Sequence, residues 1–180
     1  MSKTLFCSDI HGSVTYTKML LRAFDACGAQ KLFILGDLYY HGPRNPFTKE
    51  YMPKTVAELL NGYKGVIHAI SGNCDSPVDK MISEFPFHRD GIVKCGTHNV
   101  YITHGHRYHP QNLPQGDYGI FIYGHTHVGE LRKEGNLIIA NCGSVALPKQ
   151  NSPHSYLLLD ATSLSLYDLE KGEVIKQIIF

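Results

Sequence analysis

The chain has almost no charge of one sign in excess. Its 17 Lys and Arg stand against 16 Asp and Glu, a formal net charge of +1 over 180 residues. That balance gives no electrostatic argument for a nucleic-acid polymer or an anionic membrane as partner. A processive nuclease would need a groove of Lys and Arg, and neither a basic patch nor a cap domain is visible. No apolar run approaches the ~20 residues of a membrane span, and the apolar start is broken at Asp9, so no targeting segment is expected. There is no Cys-x-x-Cys pair. The five cysteines, at 7, 27, 74, 95 and 142, are scattered and odd in number, which reads as reduced thiols in a cytoplasmic protein. Repeats, low-complexity segments and linkers are also missing. What remains is one domain, residues 1–180, long enough to bury roughly 70% of its unfolded-chain surface.

Histidine is abundant: there are eleven, most of them in short glycine-bearing turns. Histidine on loops after buried strands points to metal binding or acid–base chemistry. The first such place is Ser8-Asp9-Ile10-His11-Gly12. A short buried strand, Thr4 to Cys7, precedes it and an amphipathic helix, Val14 to Ala26, follows, with Ser13 as N-cap and Cys27-Gly28 as its end. Asp9 and His11 are alternate residues, placed to project toward one side. Lys31 to Leu35 is a second strand, so the order is β-α-β and a parallel sheet is expected.

Leu38 to Met52 reads as a long irregular loop, rich in Pro and Gly and long enough to imply a function. A helix from Pro53 to Asn61, a strand from Val66 to Ile70 and a helix from Ser76 to Phe85 follow. The later chain changes character. Gly91 to Cys95 and Asn99 to Thr103 form an antiparallel pair, and a polar loop spans Arg107 to Asp117. Tyr118 to Tyr123 is a strand; Glu130 to Lys133 and Asn136 to Ala140 make a hairpin over Glu134-Gly135. Asn141-Cys142-Gly143-Ser144 reads as a turn. Three strands close the chain: Ser155 to Leu159, Ser163 to Leu169 and Val174 to Ile179. Two mixed sheets packed face to face with helices outside satisfy both halves.

Five strands end alike, with an apolar run followed by polar residues beside glycine: Asp9-x-His11-Gly12, Gly36-Asp37, Gly72-Asn73, His104-Gly105 and Gly124-His125-x-His127. Ligands bind beyond the carboxyl ends of strands in open α/β sheets, so strands running the same way bring these residues together. The pool is two Asp, one Asn and four His, nitrogen and oxygen donors that suit Mn²⁺, Fe²⁺, Zn²⁺, Co²⁺ or Ni²⁺. Seven donors are too many for one ion with open positions and about right for two ions sharing a carboxylate. Such a pair is the clamp of phosphate-ester hydrolysis, in which a hydroxide between the ions attacks phosphorus.

This set of motifs, together with Cys74-Asp75 after Asn73, resembles the calcineurin-like metallophosphoesterase family, and most closely its small YfcE-type phosphodiesterases. The resemblance runs over nearly the whole chain, in the family's motif order. It implies an αββα sandwich of two mixed β-sheets and a dinuclear centre, most readily of Mn²⁺. It implies that Asp9, His11 and His127 hold one ion, that Asn73, His104 and His125 hold the other, and that Asp37 bridges them. The wider family carries Gly-Asn-His-Asp or Gly-Asn-His-Glu, whose His stabilises the transition state or protonates the leaving group; here Cys74 takes that place, as in the YfcE-type subgroup. A neutral thiol is a poor substitute for an imidazolium, so modest turnover is expected, with a bias toward esters whose leaving groups need little protonation.

The expected activity is therefore a metal-dependent phosphodiesterase acting on small diesters. A phosphomonoesterase or protein phosphatase is the alternative within the same chemistry. A non-catalytic scaffold like the retromer subunit of this fold is the other, disfavoured by the intact ligand set. Arg44 suits phosphate recognition, and His106 is a second candidate for substrate contact; for each, a solvated loop residue is the competing reading. Asp75 either orients a neighbour or caps the following helix. Cys74 is not expected to act as nucleophile, since the metals supply one. Tyr39, Tyr40, Phe47, Tyr51 and Met52 make the 38–52 loop unusually apolar, which suggests a homo-oligomer interface or an aromatic wall for substrate.

Overall fold

The computed structural model describes residues 3–180. Among these residues twelve strands form two sheets. The first sheet contains β1 (Thr4–Cys7), β2 (Lys31–Ile34), β3 (Ile67–Ile70), β4 (Phe87–His88), β10 (Ser155–Leu159), β11 (Ser163–Asp168) and β12 (Val174–Ile179), in the order β12-β11-β10-β1-β2-β3-β4. The second contains β5 (Gly91–Cys95), β6 (His98–Ile102), β7 (Ile120–Tyr123), β8 (Gly129–Glu134) and β9 (Leu137–Cys142), in the order β5-β6-β7-β9-β8. Both are mixed. β1, β2 and β3 run parallel in one, and β6, β7 and β9 in the other.

Strand alternation builds the layers. On the first sheet Leu5, Cys7, Leu32, Ile34 and Leu158 face a core shared with α1 (Val14–Cys27) and α2 (Pro53–Asn61). Their neighbours Phe6, Phe33, Leu35, Leu157 and Leu159 face the second sheet, where they meet Val100, Ile102, Ile120, Ile122, Ile138 and Ala140. The expected two-sheet sandwich is thus present. Its fourth layer differs: among the described residues no helix follows Ile82. The outer residues of the second sheet, Tyr101, Phe121, Tyr123 and Ile139, are roofed instead by Tyr108 and Tyr118 of the 107–119 loop. Aromatic rings supply there the apolar area that a helix would otherwise bring.

Helix ends follow local rules. The Ser13 side chain accepts the Tyr16 N–H, and Gly28, at φ +68°, closes α1 in the left-handed conformation. A third helix, α3 (Pro77–Ile82), is shorter than expected. Its N-cap is Ser76, with Asp79 returning a hydrogen bond in a capping box. It stops at Ser83, and the chain then enters the two-residue strand β4, which the sequence had not signalled. The β8–β9 turn falls one residue later than expected, at Gly135-Asn136, because Glu134 pairs with Leu137. Asn141 and Cys142, expected in a turn, still pair as β9. Among the described residues no helix is long and apolar enough to cross a membrane.

Candidate metal centre

Past their last ladder pairs β1 and β2 remain stitched together: the Asp9 N–H donates to Gly36 O, the His11 N–H to Asp37 O and the Gly12 N–H to Leu38 O, at 2.9–3.1 Å. This turns both chains over the end of the sheet. Asp9, His11, Asp37, His125 and His127 all take left-handed backbone, with φ from +47° to +67°. Such a conformation costs about 1 kcal/mol or more per non-glycine residue. Five of them cost about 5 kcal/mol, the lower end of a whole domain's net stability. Among the described residues Glu50, Gln150 and Asn151 are the other non-glycine residues with positive φ, but strain gathered on five of the seven candidate donors marks a site that the surrounding structure holds in place.

The neighbouring chains leave no room for larger residues. A Cβ on Gly72 would lie 2.1 Å from Asp37 Oδ1, and one on Gly124 would lie 2.1 Å from Ser8 Oγ and 2.9 Å from Asp9 Oδ2. These glycines let loops from different strands approach backbone to carboxylate. The carboxylates are held by amides: the His125 N–H donates to Asp9 Oδ2 at 2.9 Å and the Cys74 N–H to Asp37 Oδ1 at 2.8 Å.

Three imidazoles are fixed the same way. Nδ1 of His11 meets Tyr40 O at 2.7 Å, that of His104 meets Leu35 O at 2.6 Å, and that of His127 meets Leu147 O at 2.6 Å. A carbonyl oxygen only accepts, so each Nδ1 carries the hydrogen and, in the neutral ring, Nε2 offers a lone pair to the centre. These lone pairs converge. His11 Nε2 and His127 Nε2 are 3.4 Å apart, and Asp9 Oδ1 lies 3.5 and 3.2 Å from them. Asp9 Oδ1 is buried and has no hydrogen-bond partner. On the other side His104 Nε2 faces Asn73 Oδ1 at 3.0 Å and His125 Nδ1 at 3.2 Å. Asp37 Oδ2 stands between the two groups, 3.8 Å from His11 Nε2 and 3.6 Å from His104 Nε2.

Such a cluster demands positive charge. Burial opposes ionisation of Asp9, but the imidazoles of His11 and His127 beside it outweigh burial and hold the carboxyl well below the usual range. Burial likewise opposes a charged His11, and the Asp9 carboxylate beside it overcomes burial and raises the pKa. Protons alone do not satisfy the geometry, because protonating both His11 and His127 would set two N–H groups head-on at 3.4 Å. A cation shared by both lone pairs and Asp9 Oδ1 satisfies all three. Asp9, His11 and His127 lie close enough to hold one ion, as do Asp9, Asp37 and His104. The donors are nitrogen and oxygen, which suits a divalent transition metal.

All seven sequence-derived candidates thus meet at one place. Cys74 joins them, its Sγ close to His11 and Asp37 and accepting from Asn73 Nδ2 at 3.3 Å. Burial first, and the Asp37 charge second, push its thiol up to about 12, which agrees with a neutral group rather than a nucleophile. Asp75 orients a neighbour: its carboxylate accepts from the amides of Asp37, Leu38 and Gly72, while Ser76 does the helix capping.

The centre opens into a cleft of about 710 Å³ lined by Tyr40, Arg44, Asn45, Cys74, His125 and Lys149. Arg44 therefore lies on its wall. His106 does not; it is half-buried with its ring 5.3 Å from His104 and lines a neighbouring cleft. The 38–52 loop is irregular as expected and is sewn to the first motif: Thr48 Oγ donates to His11 O and Ser13 Oγ to Lys49 O. Tyr39 belongs to neither an interface nor a substrate wall. It is buried in the helix-side core, with its hydroxyl 2.6 Å from Ser83 Oγ.

Three contributors lay outside the sequence reading. Asn141 Nδ2 donates to Gly124 O and Thr126 Oγ1, and Ser144 Oγ donates to Asp9 O; together they tie the His125 loop to the Asp9 loop. Asn141-Cys142-Gly143-Ser144 repeats the polar-beside-glycine strand end and could have been found by it. Lys149 carried no such signal.

Two sheets with a His/Asp/Asn cluster across the ends of their parallel strands, its Asp9, His11, Asp37, His104 and His127 buried, are the mark of a metal-dependent hydrolase of phosphate esters. Residues 3–164 match the Calcineurin-like phosphoesterase superfamily domain, and the chain belongs to that family. It is 42% identical over 182 residues to Phosphodiesterase YfcE of Escherichia coli strain K12, covering 99% of this chain and 98% of that protein. The solved structure of the E. coli phosphoesterase Yfce superposes with a TM-score of 0.94 at 40% identity, over 98% of both chains. Wild-type Vps29 of Entamoeba histolytica, solved with Zn²⁺, shares the fold with a TM-score of 0.64 at 19% identity over 98% of each chain. The protein is a metal-dependent phosphoesterase.

Proposed function

We propose that the chain is a phosphodiesterase working with two divalent ions, Mn²⁺ first among them, on small phosphodiesters. The observation that carries this is the convergence of lone pairs in two groups with one carboxylate between them: Asp9, His11 and His127 on one side, Asn73, His104 and His125 on the other, and Asp37 Oδ2 within 4 Å of both. Bound there, two cations would lower the pKa of a water and neutralise charge on the phosphoryl oxygens.

The chain's own residues do the rest. The carbonyls of Tyr40, Leu35 and Leu147 lock the imidazoles, so little reorganisation is needed when donors engage. Arg44 and Lys149 bring two cations to the cleft wall, placed to bind the non-bridging phosphoryl oxygens. Cys74 faces the same cleft as a neutral, weak donor, so leaving groups that depart without a proton are favoured. Phosphodiesterase rather than phosphomonoesterase action is supported by the full-length relation to Phosphodiesterase YfcE. The limited cleft and balanced charge support a small substrate over a nucleic-acid polymer. The likeness to Vps29 concerns the fold alone, and the complete donor set speaks for an enzyme rather than a scaffold. Exposed Phe47 and Met52, at 70% and 54% of full accessibility, support assembly of identical copies through the 38–52 loop.

The test is hydrolysis of bis(4-nitrophenyl) phosphate by purified protein with added Mn²⁺, with 4-nitrophenyl phosphate in parallel and bound metal quantified. Mn²⁺-stimulated release, faster on the diester, is expected with two ions per chain. Absence of both stimulated release and bound metal overturns the reading, and faster release from the monoester transfers it to phosphomonoesterase.

A further inference from the structure

A second cleft, of about 690 Å³, begins at Gly72, the residue before Asn73, and its wall includes Lys80, Phe87, Arg89, His106, Arg107 and Tyr108. It adjoins the Asn73/His104/His125 side of the metal centre, since the His106 ring lies 5.3 Å from that of His104 and 6.2 Å from that of His125. Its charge is distinctive. Lys80, Arg89 and Arg107 face one acid, Asp90, a local formal charge of +2 (3 − 1) in a protein whose whole charge is +1.

Among the described residues none of these three cations forms an ion pair. Lys80 Nζ rests 5.8 Å above the Phe87 ring, which keeps the ammonium at the wall. His106 Nδ1 is buried without a hydrogen-bond partner. Basic residues scattered on a convex surface need no explanation. Three unpaired ones around a concavity, beside an orphaned ring nitrogen and next to the place of reaction, focus positive potential there. Arg89 and Arg107 each offer a planar fork suited to bidentate phosphate binding. A phosphate monoester near its dianionic state matches the pocket's +2.

We propose that this cleft seats a second phosphoryl group on the non-reacting arm of the substrate. The preferred substrates are then small phosphodiesters that carry another phosphate a few atoms from the reacting phosphorus. This rests on the phosphodiesterase reading and specifies its substrate class. The reacting group lies on the metal donors and the distal phosphate lies between Arg89, Arg107 and Lys80, with the linking atoms passing His106.

Binding rather than turnover tests it. Calorimetry on the Mn²⁺-loaded protein, at fixed free Mn²⁺, would compare α,ω-alkanediol bisphosphates of three to six carbons with the matching hydroxyalkyl monophosphates. At least one chain length should bind about tenfold or more tighter than its monophosphate, the gain expected of charge-assisted hydrogen bonds. In the Arg89→Gln/Arg107→Gln double variant that ratio should fall toward one, and in Arg89→Lys/Arg107→Lys it should recover in part. Thermal melting confirms that the variants fold. The proposal is overturned if no chain length gains affinity, or if the gain survives the double Gln variant. Hydrolysis of bis(4-nitrophenyl) phosphate, which has no second anion, is measured on the same preparations. Its failure counts against the enzymatic function, while the affinity ratio judges the cleft.

Discussion

The Asp75 carboxylate accepts the backbone N–H of Asp37 at 2.8 Å. The same oxygen takes the Gly72 N–H at 2.7 Å, and the other takes the Leu38 N–H at 2.8 Å. One side chain thus fixes the turn after β2 against the turn after β3, and with it the carboxylate that stands between the two donor groups. Burial raises the Asp75 pKa even though these amides oppose it, so the residue is kept in place against a desolvation cost. Asp75→Asn would turn an amide NH₂ toward at least one backbone N–H. Metal affinity and kcat/KM should both fall by roughly 10–100-fold, the usual effect of losing a group that orients a ligand. Metal titration of the folded variant checks this; unchanged affinity would mean that Asp37 is held well enough without it.

Asp37 itself should be worth more. Its Oδ2 faces donors of both groups, so under the proposed two-ion reading Asp37→Ala removes a ligand from each. Loss of more than about 100-fold in activity is expected, exceeding the cost of removing an orienting partner, together with loss of both bound ions. Metal analysis after dialysis separates this from a simple catalytic defect. Retention of one full equivalent would place Asp37 on a single ion.

Gly124→Ala tests how tightly the loops are packed. The added methyl would overlap Ser8 Oγ and crowd Asp9 Oδ2, and neither can withdraw, since Ser8 Oγ donates to Leu35 O and Asp9 Oδ2 accepts from His125 N–H. Destabilisation of about 1–3 kcal/mol is expected, as for overpacking in a core, with weaker metal binding. Denaturant unfolding of metal-free protein measures the first without the second.

Much of the centre is legible in the sequence because each donor sits at a fixed offset from glycine at the end of an apolar run. The run, the glycine and the donor are all local signals. Gly124 shows where that legibility stops. It reads as a turn former, yet its work is to let a β7 loop touch the β1 loop, a contact between residues more than a hundred positions apart. Tyr39 fails for the same reason: loop composition suggests an interface or a wall for substrate, and only packing against Ser83 and the helix-side core reveals its place. Lys149 reaches the cleft on a loop with no periodicity to betray it. The roof over the second sheet was expected as helix because the resemblance implies an αββα sandwich with helices outside both sheets, whereas four buried outward-facing side chains need only apolar cover, and Tyr108 and Tyr118 provide it.

Far from the site, Asp160 offers a pH test. Its carboxylate accepts the backbone N–H groups of Thr162 and Ser163 in the β10–β11 turn. The Thr162 amide is the main cause of its lowered pKa, against a smaller opposing effect of burial. A depressed folded pKa means that the unfolded chain binds the proton more tightly. The stabilisation is then present above the unfolded value of 3.8 and is lost as pH falls through the lower folded value. The stability difference between the native chain and Asp160→Ala should be constant from pH 5 to 8 and shrink below about pH 4. A difference independent of pH would show that the turn, not the charge, carries the effect.

Cys74 stands where the departure of the leaving group can be tested. Its thiol is neutral, lines the cleft beside Asn73 and His125, and lies close to His11 and Asp37. Gly42 approaches it from the 38–52 loop, where an added Cβ would lie 3.3 Å from Sγ, so an imidazole at position 74 has room only by extending into the cleft. Cys74→His should therefore present a proton donor to the substrate. Rates on alkyl esters, whose leaving oxygen needs a proton, should rise roughly tenfold to a hundredfold, at the low end of what a positioned acid supplies. Rates on 4-nitrophenyl esters, whose leaving group departs as an anion, should change little. A plot of log kcat/KM against leaving-group pKa reads the difference as a shallower slope in the variant. An unchanged slope would mean that position 74 does not face the departing oxygen, and the donor would have to be sought at Asn73 or Lys149.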